Sequence, residues 1–272
     1  MNGVMVESDY LAKPGKTFRI EDWPTRANGA FKDKSEAEAA CAKLREKLID
    51  LQELLYAEGK HALLIVFQAM DAGGKDGAIE HVFSGVNPQG CHVTSFKAPS
   101  TLERSHDFLW RHHLAMPQRG MIGIHNRSHY EALLVERVRK IAPEEVWKRR
   151  FDHINAFEKM LADEGTTILK FFLHISKDEQ KERLQARLDE PHKRWKFNPA
   201  DLEERARWDD YMAAFDDVVE RTSTEHAPWY VVPSDRKWFR NWVISDVIVR
   251  TLESLEMDWP KPADGLDKVV IE

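Results

Sequence analysis

The sequence has little cysteine: Cys41 and Cys91 are the two in 272 residues, and they lie far apart with no metal-ligand spacing. A reducing cytoplasm is therefore the expected home. Long apolar runs are missing too. A membrane span needs about 18–20 consecutive apolar residues, and Ala62–Phe67 is only strand-length. The amino end, MNGVMVESDY, lacks the basic start and apolar middle of a signal peptide. No membrane partner is expected. An excess of positive charge is also absent: the net charge of −6 argues against a general nucleic-acid binder. It does not argue against an anionic substrate, because cations gathered in one cleft can draw in a polyanion.

Cations recur at Lys75, Arg104, Arg111 and Arg127, then from Arg183 through Lys196. Hydrophobic residues at 42% and charged residues at 32% fit an ordinary globular protein. Residues 1–34 are broken by Pro14, Gly15, Pro24 and Gly29 and read as an arm over the domain. A helix follows, with Leu44, Leu48, Leu51 and Leu55 at helical spacing. Ser35 and Glu38 suit a capping box at its start, and Gly59 suits its end.

HALLIVF (61–67) reads as a buried strand, apolar on both faces. Further strands are expected at His92–Phe96, Met121–Ile124, Thr167–Ile175 and Trp229–Val232, with helical sequence between them. This alternation predicts an α/β fold, a parallel sheet sandwiched by helices. Arg236–Glu256 forms the last helix, and WPKPADG (259–265) an exposed tail. Between the last two strands, Ser176–His226 is longer than a plain crossover requires and is rich in charge. We expect one domain over residues 1–272, with a helical lid over about 183–215.

FQAMDAGGKDGAIEHVF (67–83) follows a strand and opens a helix, the setting of a phosphate-binding loop. Gly73, Gly74 and Gly77 let the backbone curl so that successive N–H groups meet one anion. The helix amino end and Lys75 add positive charge. We place phosphate contacts on Ala72, Gly73, Gly74, Lys75, Asp76 and Gly77. The loop departs from the usual pattern: Ala69 replaces its first glycine, and Asp76 stands where a Ser or Thr would hold Mg²⁺. Asp71 is then the candidate Mg²⁺ ligand, since that ion favours a carboxylate with waters and phosphate oxygens. The next motif, HNRSHYE (125–131), ends a strand and should face the loop. We place nucleotide contacts on Asn126, Arg127, Tyr130 and Glu131. His125 and His129 have no third ligand at suitable spacing for zinc.

AMDAGGKDG (69–77) and HNRSHYE (125–131) resemble the paired signatures of the family-2 polyphosphate kinases. RLQARLDEPHKRWKFNPADL (183–202) and WDDYMAAFDDVVERTSTEHAPWYVVPSDRKW (208–238) are similar to that family in the same order. The resemblance spans about residues 60–256. It implies a P-loop kinase fold with a helical lid. It also implies Mg²⁺-dependent phosphoryl transfer, reversible in principle, between inorganic polyphosphate and nucleoside mono- or diphosphates. By the same resemblance Asp71 and Lys75 are the loop's catalytic pair, Arg127 belongs to the second motif, and Arg187 is the lid arginine.

Some members carry an acid where Asn126 stands, so Asn126 is a second candidate metal position with only a neutral oxygen to give. The NRSHYE form is most similar to the subgroup (class III) that phosphorylates both AMP and ADP, with guanine nucleotides left open, and relatives imply a homo-oligomer. Arg127, Arg183, Lys193 and Arg194 extend the expected phosphate contacts; Arg183 and Arg187 share one face of a lid helix. Two other readings stand beside this one: an ATP-dependent P-loop kinase, and a non-catalytic nucleotide sensor.

Overall fold

The structure, a computed structural model, describes residues 5–266 and 269–271. Six strands form one sheet: β1 (Leu11–Ala12), β2 (Ala62–Gln68), β3 (Cys91–Ser95), β4 (Ile122–Asn126), β5 (Thr166–His174) and β6 (Trp229–Pro233). Their order is β1-β6-β5-β2-β4-β3, parallel except for β1. The five expected strands are present within a residue or two. The sixth comes from the arm, where Leu11 and Ala12 pair antiparallel with Tyr230 and Trp229 and cover the β6 edge.

The arm is also tied down elsewhere. Phe18 N donates to Glu220 Oε2 at 2.9 Å and Ile20 N to Asp216 Oδ1 at 2.6 Å, with both apolar side chains buried in the core.

The central strand β2 is buried at every position because both sheet faces are covered. Leu64 and Val66 face one core with Ile168 and Phe172; Leu63, Ile65 and Phe67 face the other with Leu169 and Phe171. The first core is roofed by α6 (Glu144–Asp163) and α9 (Trp208–Thr222), where Phe172 and Phe215 stand 4.0 Å apart between ring centroids. The second is roofed by α1 (Lys34–Glu58), α2 (Lys75–Val82) and α10 (Lys237–Glu253). Each fully buried large apolar side chain contributes about 1.5–3 kcal/mol, so the two cores clamp the central strands from both faces.

The start of α1 corrects the expected capping box of Ser35 and Glu38. Asp33 is the cap, accepting from Glu36 N at 3.0 Å, while Glu36 Oε2 accepts from Lys32 N at 2.8 Å. Aspartate caps as well as serine, and here it comes first with a glutamate three residues on. Short helices α3 (Thr101–Arg104), α4 (Trp110–His113) and α5 (Val135–Val138) complete the β3 and β4 sides.

The long insertion holds α7 (Lys177–Asp189), a 3-10 turn (Pro191–Lys196), α8 (Ala200–Ala206) and α9. Trp208, Tyr211, Phe215, Val218 and Thr222 of α9 recur at helical spacing and are buried. Of the expected 183–215 lid, therefore, the part from Trp208 onward belongs to the body. Among the described residues no helix is long and apolar enough to cross a membrane.

Candidate functional site

After β2 the chain passes to β3 and β4 on one side and then to β5 and β6 on the other, so a crevice opens at the carboxyl ends of β2, β4 and β5. The loop from Ala69 to Gly74 lies there. Gly73 N bonds to Met70 O at 3.0 Å, closing a turn, and Ala72 takes a left-handed backbone at φ 59. Gly74 caps α2 at φ 98. Within the described residues the amides of Gly74, Lys75, Asp76 and Gly77 take no protein acceptor, which leaves the first turn of α2 free to receive an anion.

Two guanidiniums hold the loop from behind. Arg183 donates to Ala72 O at 3.1 Å, Gly73 O at 3.0 Å and Ser234 O at 2.5 Å, and it pairs with Glu179. Arg240 donates to Gly74 O at 3.0 Å and is 2% exposed. In a trans peptide the C=O and the following N–H point oppositely. Pinning the carbonyls of residues 72, 73 and 74 thus turns the next amides the other way. Arg240 forms no ion pair among the described residues; Asn241 Oδ1 takes its other donors at 3.0 and 2.7 Å. Burial first, then the charge of Arg183, pull its pKa down to about 9. A buried cation without a carboxylate is costly unless an anion comes to the site.

Lys75 points back to the loop, donating to Ala69 O at 3.1 Å. Burial and the neighbouring Arg127 pull its pKa down to about 8, against the opposing charges of Asp71, Glu131 and Asp76. Arg127 follows β4 with a left-handed backbone at φ 63. Its guanidinium meets Asp71 Oδ1 at 2.7 Å and Glu131 Oε2 at 3.6 Å while staying 39% exposed. Asn126 Nδ2 donates to Asp76 Oδ1 at 2.5 Å, which leaves its oxygen for a ligand. Tyr130 has no exposed surface: its hydroxyl donates to Glu158 and accepts from Lys170 inside the core. It supports the site from within, so the nucleotide contact expected of its side chain is not one it can make.

Arg187 donates to Asp201 Oδ2 at 2.9 Å, joining α7 to α8. Burial, then the charge of Asp71, raise the Asp201 pKa against the lowering pull of Arg187 and Arg127. Lys193 and Arg194 are not drawn to the loop. They bond to Glu190 at 2.6 Å and to Leu188 O at 2.8 Å, around the end of α7. The sequence reading missed Arg240, Asp201 and Gln180. A signal existed for Arg240 alone, an arginine on the apolar stripe of α10 beside Val243 and Ile244.

Among the described residues no three His, Cys, Asp or Glu side chains gather as a metal cage. Mg²⁺ does not need one: it is held by one or two carboxylates with waters and phosphate oxygens. The Asp71 carboxylate, on the loop, and the free Asn126 oxygen, at the end of β4, are donors of that kind.

A family model described as Polyphosphate kinase 2 matches residues 31–260. An AMP/ADP-polyphosphate phosphotransferase of Meiothermus ruber is 53% identical over 264 residues, covering 97% of this chain and 99% of that one. An ADP-polyphosphate phosphotransferase of Rhodopseudomonas palustris is 46% identical, covering 95% of this chain and 93% of its own length. The crystal structure of a polyphosphate kinase 2 from Arthrobacter aurescens superposes with a TM-score of 0.91 at 42% identity, over 97% of each chain. With its loop, second motif and sheet order as described, the chain belongs to the polyphosphate kinase 2 family.

Proposed function

We propose that the protein transfers phosphoryl groups between inorganic polyphosphate and adenine nucleotides, converting AMP to ADP and ADP to ATP. The observation that carries this reading is the loop itself. Four free amides and Lys75 face a cleft where Arg127 meets Asp71, and Arg187 of α7 meets Asp201 of α8. Phosphoryl transfer asks for positioning and charge neutralisation rather than covalent chemistry, and this set supplies both. The names of the Meiothermus and Rhodopseudomonas relatives support the donor and the acceptors.

In this reading Lys75 grips the transferred phosphate and Arg127 forks onto its equatorial oxygens. Arg187 reaches the cleft from the lid side, held there by Asp201 of the docked α8. Arg183 and Arg240 shape the loop rather than touch the substrate. Asp71, with Asn126, holds Mg²⁺, which would neutralise charge on the phosphates. The resemblance extends the proposal to a homo-oligomer, and the low cysteine content to the cytoplasm; guanine nucleotides stay an open acceptor.

The test is a donor competition. Purified protein receives Mg²⁺ and AMP with either long-chain polyphosphate or ATP, and the nucleotides are separated by chromatography. ADP formed from polyphosphate with ATP absent is the expected result. Transfer from ATP alone refutes the proposal in favour of an ATP-dependent kinase, and transfer from neither favours a binding module.

A further inference from the structure

Gln180 lies in the first turns of α7 with no exposed surface, between the loop and the lid. Its Nε2 donates to the carbonyl of Asp71 at 2.9 Å, and its Oε1 accepts from Arg205 Nη1 at 2.9 Å. The amide orientation is fixed by chemistry: a carbonyl only accepts and a guanidinium only donates. Arg205, near the end of α8, also donates to Lys177 O at 2.5 Å. Its neighbour Glu204 binds Arg139 and Tyr211 of the body. Docking of α8 thus makes two sets of contacts together, and one of them ends on Asp71.

Asp71 is held at two points, its carboxylate by Arg127 and its backbone by Gln180. If α8 leaves, Gln180 Oε1 is left buried without its donor, and an unsatisfied buried acceptor drives rearrangement of the amide. We propose that Gln180 is a positioning residue that makes the placement of Asp71 depend on the docking of α8, so the loop is set for transfer when the lid is seated. This rests on the phosphotransfer reading, but its structural half can be tested without activity.

The experiment compares wild type with Arg205→Ala, Gln180→Met, Gln180→Glu and the Arg205→Ala/Gln180→Met double variant. Two readouts are taken: hydrogen–deuterium exchange of the 68–78 amides, and kcat with KM for polyphosphate. Arg205 is half-buried at the surface, so Arg205→Ala is expected to fold. It should speed loop exchange and lower kcat about tenfold, the scale of one lost hydrogen bond to a charged group. The double variant should lose no more than Gln180→Met alone, since both break one chain of contacts. Gln180→Glu keeps an acceptor for Arg205 but loses the donor to Asp71, so it should also lower kcat with α8 still docked.

Unchanged loop exchange and kcat in Arg205→Ala would overturn the proposal. So would effects of the two single variants that multiply in the double. If Gln180→Met does not fold, loop exchange in Arg205→Ala decides alone. A wild type without transfer activity removes the functional reading and leaves the exchange test standing.

Discussion

Arg127 donates to Asp71 Oδ1 at 2.7 Å from a backbone held in the left-handed region at φ 63. A non-glycine residue there is strained, and such strain gathers where a side chain must be aimed. The bond keeps the Asp71 carboxylate at the cleft mouth and holds the guanidinium fork ready for phosphate oxygens. Arg127→Lys should lower kcat/KM by about a hundredfold or more, since lysine cannot copy the fork and arginines on a transferring phosphoryl group contribute at least that much. Steady-state kinetics check this, and near-normal activity would leave Arg127 a structural role only, in its Asp71 and Glu131 pairs.

Lys75 sets a pH dependence. In the free protein its pKa sits at about 8, below the ordinary 10.5, because burial and Arg127 disfavour its charge. Bound phosphate raises it again. Below about pH 8 the lysine is already charged, and above it binding must take up a proton. Polyphosphate affinity should therefore fall by up to about tenfold per unit as pH rises beyond about 8. The ligand-free stability contributed by this group moves the other way. The unfolded chain binds more protons between about 8 and 10.5, so stability rises with pH across that window. Calorimetric titration of polyphosphate at pH 7, 8 and 9, with Lys75→Met as control, reads the first effect.

Arg240 separates function from stability. Arg240→Met removes a buried cation that has no carboxylate partner among the described residues, while keeping most of its volume. Thermal stability should hold or rise, whereas polyphosphate affinity should fall about tenfold or more, because the Gly74 carbonyl is no longer pinned. Gly74→Ala attacks the same contact: its Cβ would lie 2.2 Å from Arg240 Nη1 at a φ of +98. The left-handed backbone alone costs about 1–2 kcal/mol, so Tm and affinity should both drop.

Lys170 makes the opposite case. Its ammonium bonds to Glu158 at 2.6 Å, Tyr130 at 2.8 Å and Thr222 O at 2.7 Å with no exposure, and His129 bonds to the other Glu158 oxygen at 3.1 Å. Lys170→Met leaves the buried Glu158 carboxylate without its lysine and should cost about 3–5 kcal/mol. Adding Glu158→Gln should restore a large part. Urea denaturation of the two variants checks it; an additive loss in the double would mean the pair is not a unit.

The strands and the loop were legible because apolar runs bounded by glycine leave a local pattern, as at Ala62–Gln68 and Gly73–Gly77. The Leu11–Ala12 strand was not, since two residues hold no period and pair with partners more than 200 positions away. Arg240 and Gln180 act through backbone carbonyls of residues 74 and 71, contacts that no spacing in the sequence reveals. Tyr130 misled the reading for a related reason. It sits in a polar motif beside Arg127 and Glu131, yet the 3-10 turn after β4 carries its ring inward, onto Trp229 at 4.8 Å.

The most direct measurement is polyphosphate-dependent phosphorylation of AMP and ADP, offered separately with Mg²⁺ and no ATP, by wild type, Asp71→Asn and Lys75→Ala side by side. The account predicts ADP from AMP and ATP from ADP in the wild type, with both products falling at least about a hundredfold in each variant. Product from ADP alone would keep the reaction and withdraw AMP as an acceptor. Full activity in folded Asp71→Asn and Lys75→Ala would contradict the site.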